Sequence, residues 1–148
     1  MKVLEYGNEQ KKNLLFLPCT AEPAWAFTDS VKLLAQNYHV MQIVYDGHGE
    51  TGEDFVSVET TVDEITDWLH AHGITHLEAA YGCSLGGACL TRLLALGRVP
   101  VERAVKHRGL RLPMLRVFEC HPAAVLLATV KRTILKSGWK SLSRTSRS

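Results

Sequence analysis

The stretch Leu77 to Leu96, LEAAYGCSLGGACLTRLLAL, crowds Gly82, Gly86 and Gly87 around Ser84, with Cys83 and Leu85 as the spacers of a G-x-S-x-G motif. An apolar run precedes it and a run of helical period follows, so the chain must turn sharply at the serine. Glycines at 82 and 86 make room for that turn, because side chains there would meet neighbouring backbone, and Gly87 offers further close packing. Such a turn holds the Ser84 hydroxyl exposed in a strained conformation. The following helix aims its N-terminus at the same place, so the Leu85 backbone N–H can donate to a developing oxyanion. Cys83 stands outside the middle of the motif and reads as a small apolar residue packed inside.

Other residues with chemical potential read differently. His70, His72 and His76 gather around a helix end, but no acidic or cysteine ligand shares their spacing, so solvated or dipole-complementing histidines are expected and no metal. The glycines at 82, 86 and 87 do not give G-x-G-x-x-G, and G-x-x-x-x-G-K-[ST] is absent, which argues against a nucleotide-binding loop. Trp25, Trp68 and Tyr81 read as core or pocket wall rather than as a stacking platform for bases.

The elements that must position Ser84 follow from periodicity. Short apolar runs at Leu14–Leu17, Val40–Tyr45, Leu77–Tyr81 and Val101–Val105 predict strands separated by helices, the spacing of βαβ units. Pro23 fits a first helical turn, followed by Phe27, Val31 and Leu34 at helical spacing. Thr61 and Glu64 have capping-box spacing, and Val62, Ile65 and Leu69 form a stripe ending near Gly73. After Ser84, Leu85, Cys89 or Ala88, Leu93 and Leu96 line a helix that Gly97 and Pro100 close. The series predicts an α/β domain, a mostly parallel sheet with helices on both faces. Ligands in such sheets bind beyond the carboxyl ends of the strands, which is where Ser84 stands.

In motif and order of elements, residues 3 to 105 resemble the α/β-hydrolase family. The turn VYDGHGET, Val44 to Thr51, looks like the family's strand-end D-x-x-G-H-G with a residue missing. The resemblance implies that Ser84 is the nucleophile of an acyl-transfer hydrolase acting on an ester, thioester or related small-molecule acyl substrate, with no cofactor. It also implies a second oxyanion donor after the strand ending at Leu17, where Pro18-Cys19 replaces the family's usual His-Gly; the Cys19 or Thr20 backbone N–H would serve. Asp46 and His48 precede the serine, whereas the family draws its acid and histidine from later positions, so His48 is expected to shape its turn. After Ser84 the chain has 64 residues, no Asp, only Glu102 and Glu119, and only His107 and His121. Glu102 opens its strand at the wrong end of the sheet, and Glu119 lies too near His121 for two separate loops. His121 is the candidate base, and the triad reads as incomplete.

Composition sets the remaining bounds. The chain has 148 residues, 46% hydrophobic and 22% charged, as befits one globular domain with a real core. Its start lacks a charged-then-apolar leader and its cysteines form no C-x-x-C pair, which predicts a cytoplasmic protein with reduced thiols. Residues 1–102 hold 6 Lys and Arg against 14 Asp and Glu, a net −8, whereas residues 103–148 hold 11 against 1, a net +10. The predicted organisation is therefore a hydrolase-like N-terminal half over 1–105 and a divergent basic tail over 106–148, poorly ordered or helical. One explanation of the tail is a truncated gene or shifted reading frame. The alternative is a non-catalytic protein whose tail binds RNA, anionic membrane or a protein partner, with Lys131, Arg132, Lys136 and Lys140 beside Val125, Leu126, Val130 and Ile134 on one helix.

Overall fold

A computed structural model describes residues 1–20, 22–48 and 52–107, together with the backbone of residues 116–119. Six strands form one sheet: β1 (Lys2–Tyr6), β2 (Lys12–Leu17), β3 (Tyr38–Val44), β4 (Ala79–Cys83), β5 (Arg103–His107) and β6 (Arg116–Glu119). Their spatial order is β1-β3-β2-β4-β5-β6, with β3, β2, β4 and β5 mutually parallel and the two outer strands antiparallel to their neighbours. Three α-helices, α1 (Thr28–Leu34), α2 (Val58–Ala71) and α3 (Leu85–Leu96), connect the parallel strands.

The central strands read as unbroken apolar runs because both faces are covered. Along β2, Leu15 and Leu17 join Met41, Ile43 and Tyr45 of the neighbouring strand region and pack on Val62, Ile65 and Leu69 of α2 and Cys89, Leu90 and Leu93 of α3. On the opposite face, Leu14, Phe16 and Val40 pack on Val31 of α1. The two-residue alternation of a strand thus sorts neighbouring residues into two cores. Fully burying a residue such as Leu69 contributes about 1.5–3 kcal/mol. In α3 the inward residue is Cys89, while Ala88 is exposed. Gly97 closes the helix in the left-handed conformation and donates its N–H to the Leu93 carbonyl.

Several sequence expectations are corrected. The cap of α2 is Ser57, whose Oγ accepts the Thr60 N–H at 3.1 Å; Thr61 lies inside the first turn with its hydroxyl bonded to the Ser57 carbonyl. The edge strand β1, KVLEY, has no regular apolar alternation by which to be read as a strand, and it forms by pairing with β3. The segment after Pro23 begins as a 3-10 turn, Ala24–Phe27, which points Trp25 outward at 74% exposure; it is neither core nor pocket wall. Val101 contributes only an isolated bridge to Leu77, and β5 runs on to His107. Because β6 pairs with β5, the sheet has backbone on both sides of the boundary drawn after residue 105. His121 and the basic helix drawn over residues 125–140 lie outside the described residues. Among the described residues, no helix is long and apolar enough to cross a membrane.

Candidate active site

Ser84 occupies the single residue between β4 and α3. Its backbone has φ 51° and ψ −111°, and it is the only non-glycine residue with positive φ among the described residues. Its side chain is exposed and makes no capping bond to the helix. The turn is enforced from two sides. A Cβ on Gly82 would strike the Gly86 carbonyl oxygen and lie 2.8 Å from its carbon; one on Gly86 would strike the Leu17 carbonyl oxygen and lie 2.7 Å from that of Pro18. These obstacles are backbone and cannot swing away. At Gly87 the nearest atoms belong to the flexible Lys106 side chain at 3.1 Å, a milder constraint.

Backbone hydrogen bonds fix the elbow to its neighbours. The Ser84 N–H donates to the His107 carbonyl at 3.0 Å, and the Gly86 N–H donates to the Pro18 carbonyl at 3.2 Å. The second bond holds the loop after β2 against the first turn of α3. Tyr45 donates its hydroxyl to the same Pro18 carbonyl at 3.1 Å from a buried position, and burial pushes its phenol strongly up. Among the described residues, the backbone N–H groups of Leu85, Cys19 and Thr20 have no hydrogen-bond acceptor. The Leu85 N–H lies in the first turn of α3, at the positive end of its dipole.

The side chains around this loop form a compact polar group on the C-terminal edge of the sheet. Cys19 is half-buried; burial first, then its neighbours Glu22 and Cys83, push its thiol up to about 12. Tyr81, on the same strand, has its phenol driven well above the ordinary range by burial first and then by the neighbouring Cys83. Cys83 packs inside as expected, and its sulfur lies 3.6 Å from His107 Nδ1. A shallow cleft, open to solvent, lies beside this group, lined among others by Cys19, Glu22, Pro23, Tyr45 and His48.

The structure gathers Ser84, Leu85, Gly82, Gly86 and Gly87 at one turn, and the Gly86 N–H ties to it the loop that runs from Pro18 into Cys19 and Thr20. It also brings His107 there, a residue passed over in the sequence. The available signal was its place at the carboxyl end of a parallel strand beside β4. The His107 ring meets Cys83, and among the described residues no side chain hydrogen-bonds the Ser84 hydroxyl. Glu102 lies at the other end of the sheet, bonded to His76, which also faces Glu78. His48 bonds the Asp46 carbonyl through Nδ1 and packs edge-on to Tyr45 and Phe55, the geometry of a turn-shaping residue. Among the described residues, no cluster of His, Cys, Asp and Glu could hold a metal ion.

No protein-family model and no curated protein matches this sequence. Solved structures do. An alpha/beta hydrolase family protein from Desulfitobacterium hafniense superposes with a TM-score of 0.67 at 21% identity, over 71% of this chain and 43% of that one. A carboxylesterase structure from the thaumarchaeon Nitrososphaera gargenis gives 0.61 at 17% identity, over 71% and 40%. A lipase-esterase related protein from Clostridium acetobutylicum gives 0.61 at 20%, over 71% and 45%. The matched part of this chain thus spans less than half the length of each, and at these identities the likeness is one of architecture: the fold is that of the α/β-hydrolases.

Proposed function

We propose that this chain is a serine hydrolase-like protein in which Ser84 attacks an ester or thioester carbonyl and carries the acyl group as an acyl-Ser84 intermediate. The observation that carries this reading is the strained, exposed conformation of Ser84 at the strand-to-helix turn, a geometry that costs stability and has no packing purpose. As the Ser84 oxygen bonds the carbonyl carbon, negative charge develops on the carbonyl oxygen. The Leu85 N–H and the Cys19 or Thr20 N–H receive it; one such donor is commonly worth about 100- to 1,000-fold in rate. His121 is the residue assigned to take the serine proton and return it to the leaving group. Residues 1–105 supply the nucleophile and oxyanion donors, and residues 106–148 supply the base. Esterase structures among those of similar fold support an acyl substrate of small-molecule size.

Labelling with a fluorophosphonate, which modifies activated serines, tests the reading. Intact-mass analysis is expected to give one adduct on the wild type, none on Ser84→Ala, and a strongly slowed reaction on His121→Ala. A folded wild-type protein that takes no label overturns it.

A further inference from the structure

We propose that Gln42 and Tyr45 are positioning residues that hold the chain from Pro18 to Ala24 at both ends, and so set the backbone donor after β2 relative to Ser84. Tyr45 donates its hydroxyl to the Pro18 carbonyl at 3.1 Å, and Gln42 donates from Nε2 to the Ala24 carbonyl at 3.1 Å; both bonds are buried. Gln42 shares a face with Val40, and Tyr45 with Ile43, so the two bonds reach the segment from opposite faces of the sheet. The Pro18 carbonyl accepts a second bond, from the Gly86 N–H at 3.2 Å, which engages both of its lone pairs. That carbonyl and the Cys19 N–H belong to one planar peptide group. Fixing the first therefore fixes the direction of the second, and with it the point from which the Cys19–Thr20 peptide departs.

Packing explains neither polar group. Gln42 is fully buried among Val40, Met41, Ile43 and Val44, opposite Leu4 on β1 and Phe16 on β2. Its Oε1 has no hydrogen-bond partner among the described residues. Burying an unpaired amide oxygen costs stability, a cost that methionine at the same position would not carry. Tyr45 is 1% exposed, and phenylalanine would fill the same space with no hydroxyl to satisfy. What the two residues share is the segment they bond, whose Pro18, Cys19, Pro23 and Ala24 line the cleft beside the elbow together with Tyr45. The holding of this segment stands on these contacts alone; its effect on an oxyanion rests on the acyl-transfer reading.

Cys19, half-buried inside the held segment, serves as the reporter, and Cys89, fully buried in α3, as the reference. The full reduced chain and its variants Tyr45→Phe and Gln42→Met are treated with iodoacetamide, and alkylation of each cysteine peptide is timed by mass spectrometry. In both variants the Cys19 rate is expected to rise about 5-fold, the factor that corresponds to one hydrogen bond, while the Cys89 rate holds. The urea midpoint of Gln42→Met should hold or rise, which a purely structural role for the amide forbids. On p-nitrophenyl acetate, kcat of Tyr45→Phe is expected to fall by up to about 100-fold, the cost of a misplacement of about 1 Å, with KM unchanged. An unchanged Cys19 rate, a rise shared equally with Cys89, a lowered midpoint for Gln42→Met, or a raised Cys19 rate that leaves kcat of an active protein untouched overturns the proposal. A wild type that neither turns over the ester nor takes a fluorophosphonate label, with the Cys19 rate still raised in both variants, refutes only the acyl-transfer role, and the holding of the segment stands.

Discussion

Replacing Ser84 with glycine is expected to stabilise the protein, against the usual direction of such a change. At φ 51° and ψ −111° the serine sits where an L-residue is strained, at a cost of about 1–3 kcal/mol. Glycine removes that penalty and adds freedom to the unfolded chain, which opposes it by about 0.4–1 kcal/mol. Little else is lost, since the side chain is exposed and its hydroxyl makes no capping bond. The net is a gain of about 1 kcal/mol, or roughly 2–4 °C in thermal midpoint for a chain near this size. Urea unfolding followed by circular dichroism measures it, with Ser84→Ala as control; alanine keeps the strain and is expected to stay within about 0.5 kcal/mol of wild type. If Ser84→Gly loses stability by the 0.5–1 kcal/mol or so typical of glycine in relaxed backbone, the elbow is unstrained and the argument fails.

Two further outcomes follow from the same geometry. Gly86→Ala presses a methyl group on the Leu17 and Pro18 carbonyls and is expected to cost about 3 kcal/mol, the upper end for overpacking. Gly73→Ala, with φ +70° and nothing within 4 Å, should cost only about 1–2 kcal/mol; urea midpoints in the reverse order would refute the close approach. Stability should also fall in alkali. The Cys19 and Cys89 thiols are raised from 9.0 to about 12 and about 11, so above pH 9 the unfolded chain releases protons that the folded chain retains, and the stability slope with pH becomes negative. Thermal midpoints that hold constant from pH 9 to 11 would contradict this, and Cys89→Ala should flatten the decline.

What the sequence disclosed depended on how local each feature's cause is. The elbow was legible because its cause lies within a few residues: Gly82 and Gly86 meet backbone close by, and α3 follows directly. The stripe of Val62, Ile65 and Leu69 was legible for the same reason, its period being that of one helix. The edge strand β1 was not, because its residues become a strand only through hydrogen bonds to β3, about forty positions later. Trp25 was misread because a 3-10 turn, unlike the helix expected there, points it away from the sheet. His107 was named but passed over because its neighbour Cys83 is distant in sequence and adjacent only through the β4–β5 register.

The same distinction separates the elbow from its catalysis. Strain at Ser84 is imposed by contacts among residues 17–18 and 82–87, all of them within β2, β4, α3 and their joins. A base has to arrive from elsewhere in the chain, because the imidazole that β5 brings to the elbow is turned to the Cys83 sulfur, on the strand residue before the serine. Successive strand residues face opposite ways, so a ring engaged with Cys83 is poorly placed for a hydroxyl that emerges above the turn. Elbow strain and serine activation are therefore independent properties of this fold. A Ser84→Gly variant that gains stability establishes the first whatever the labelling experiment gives, and an adduct on Ser84 establishes the second only if it disappears with the base. The combination of a strained elbow and an unlabelled serine would mean that the costly turn has outlasted, or awaits, the histidine that would use it.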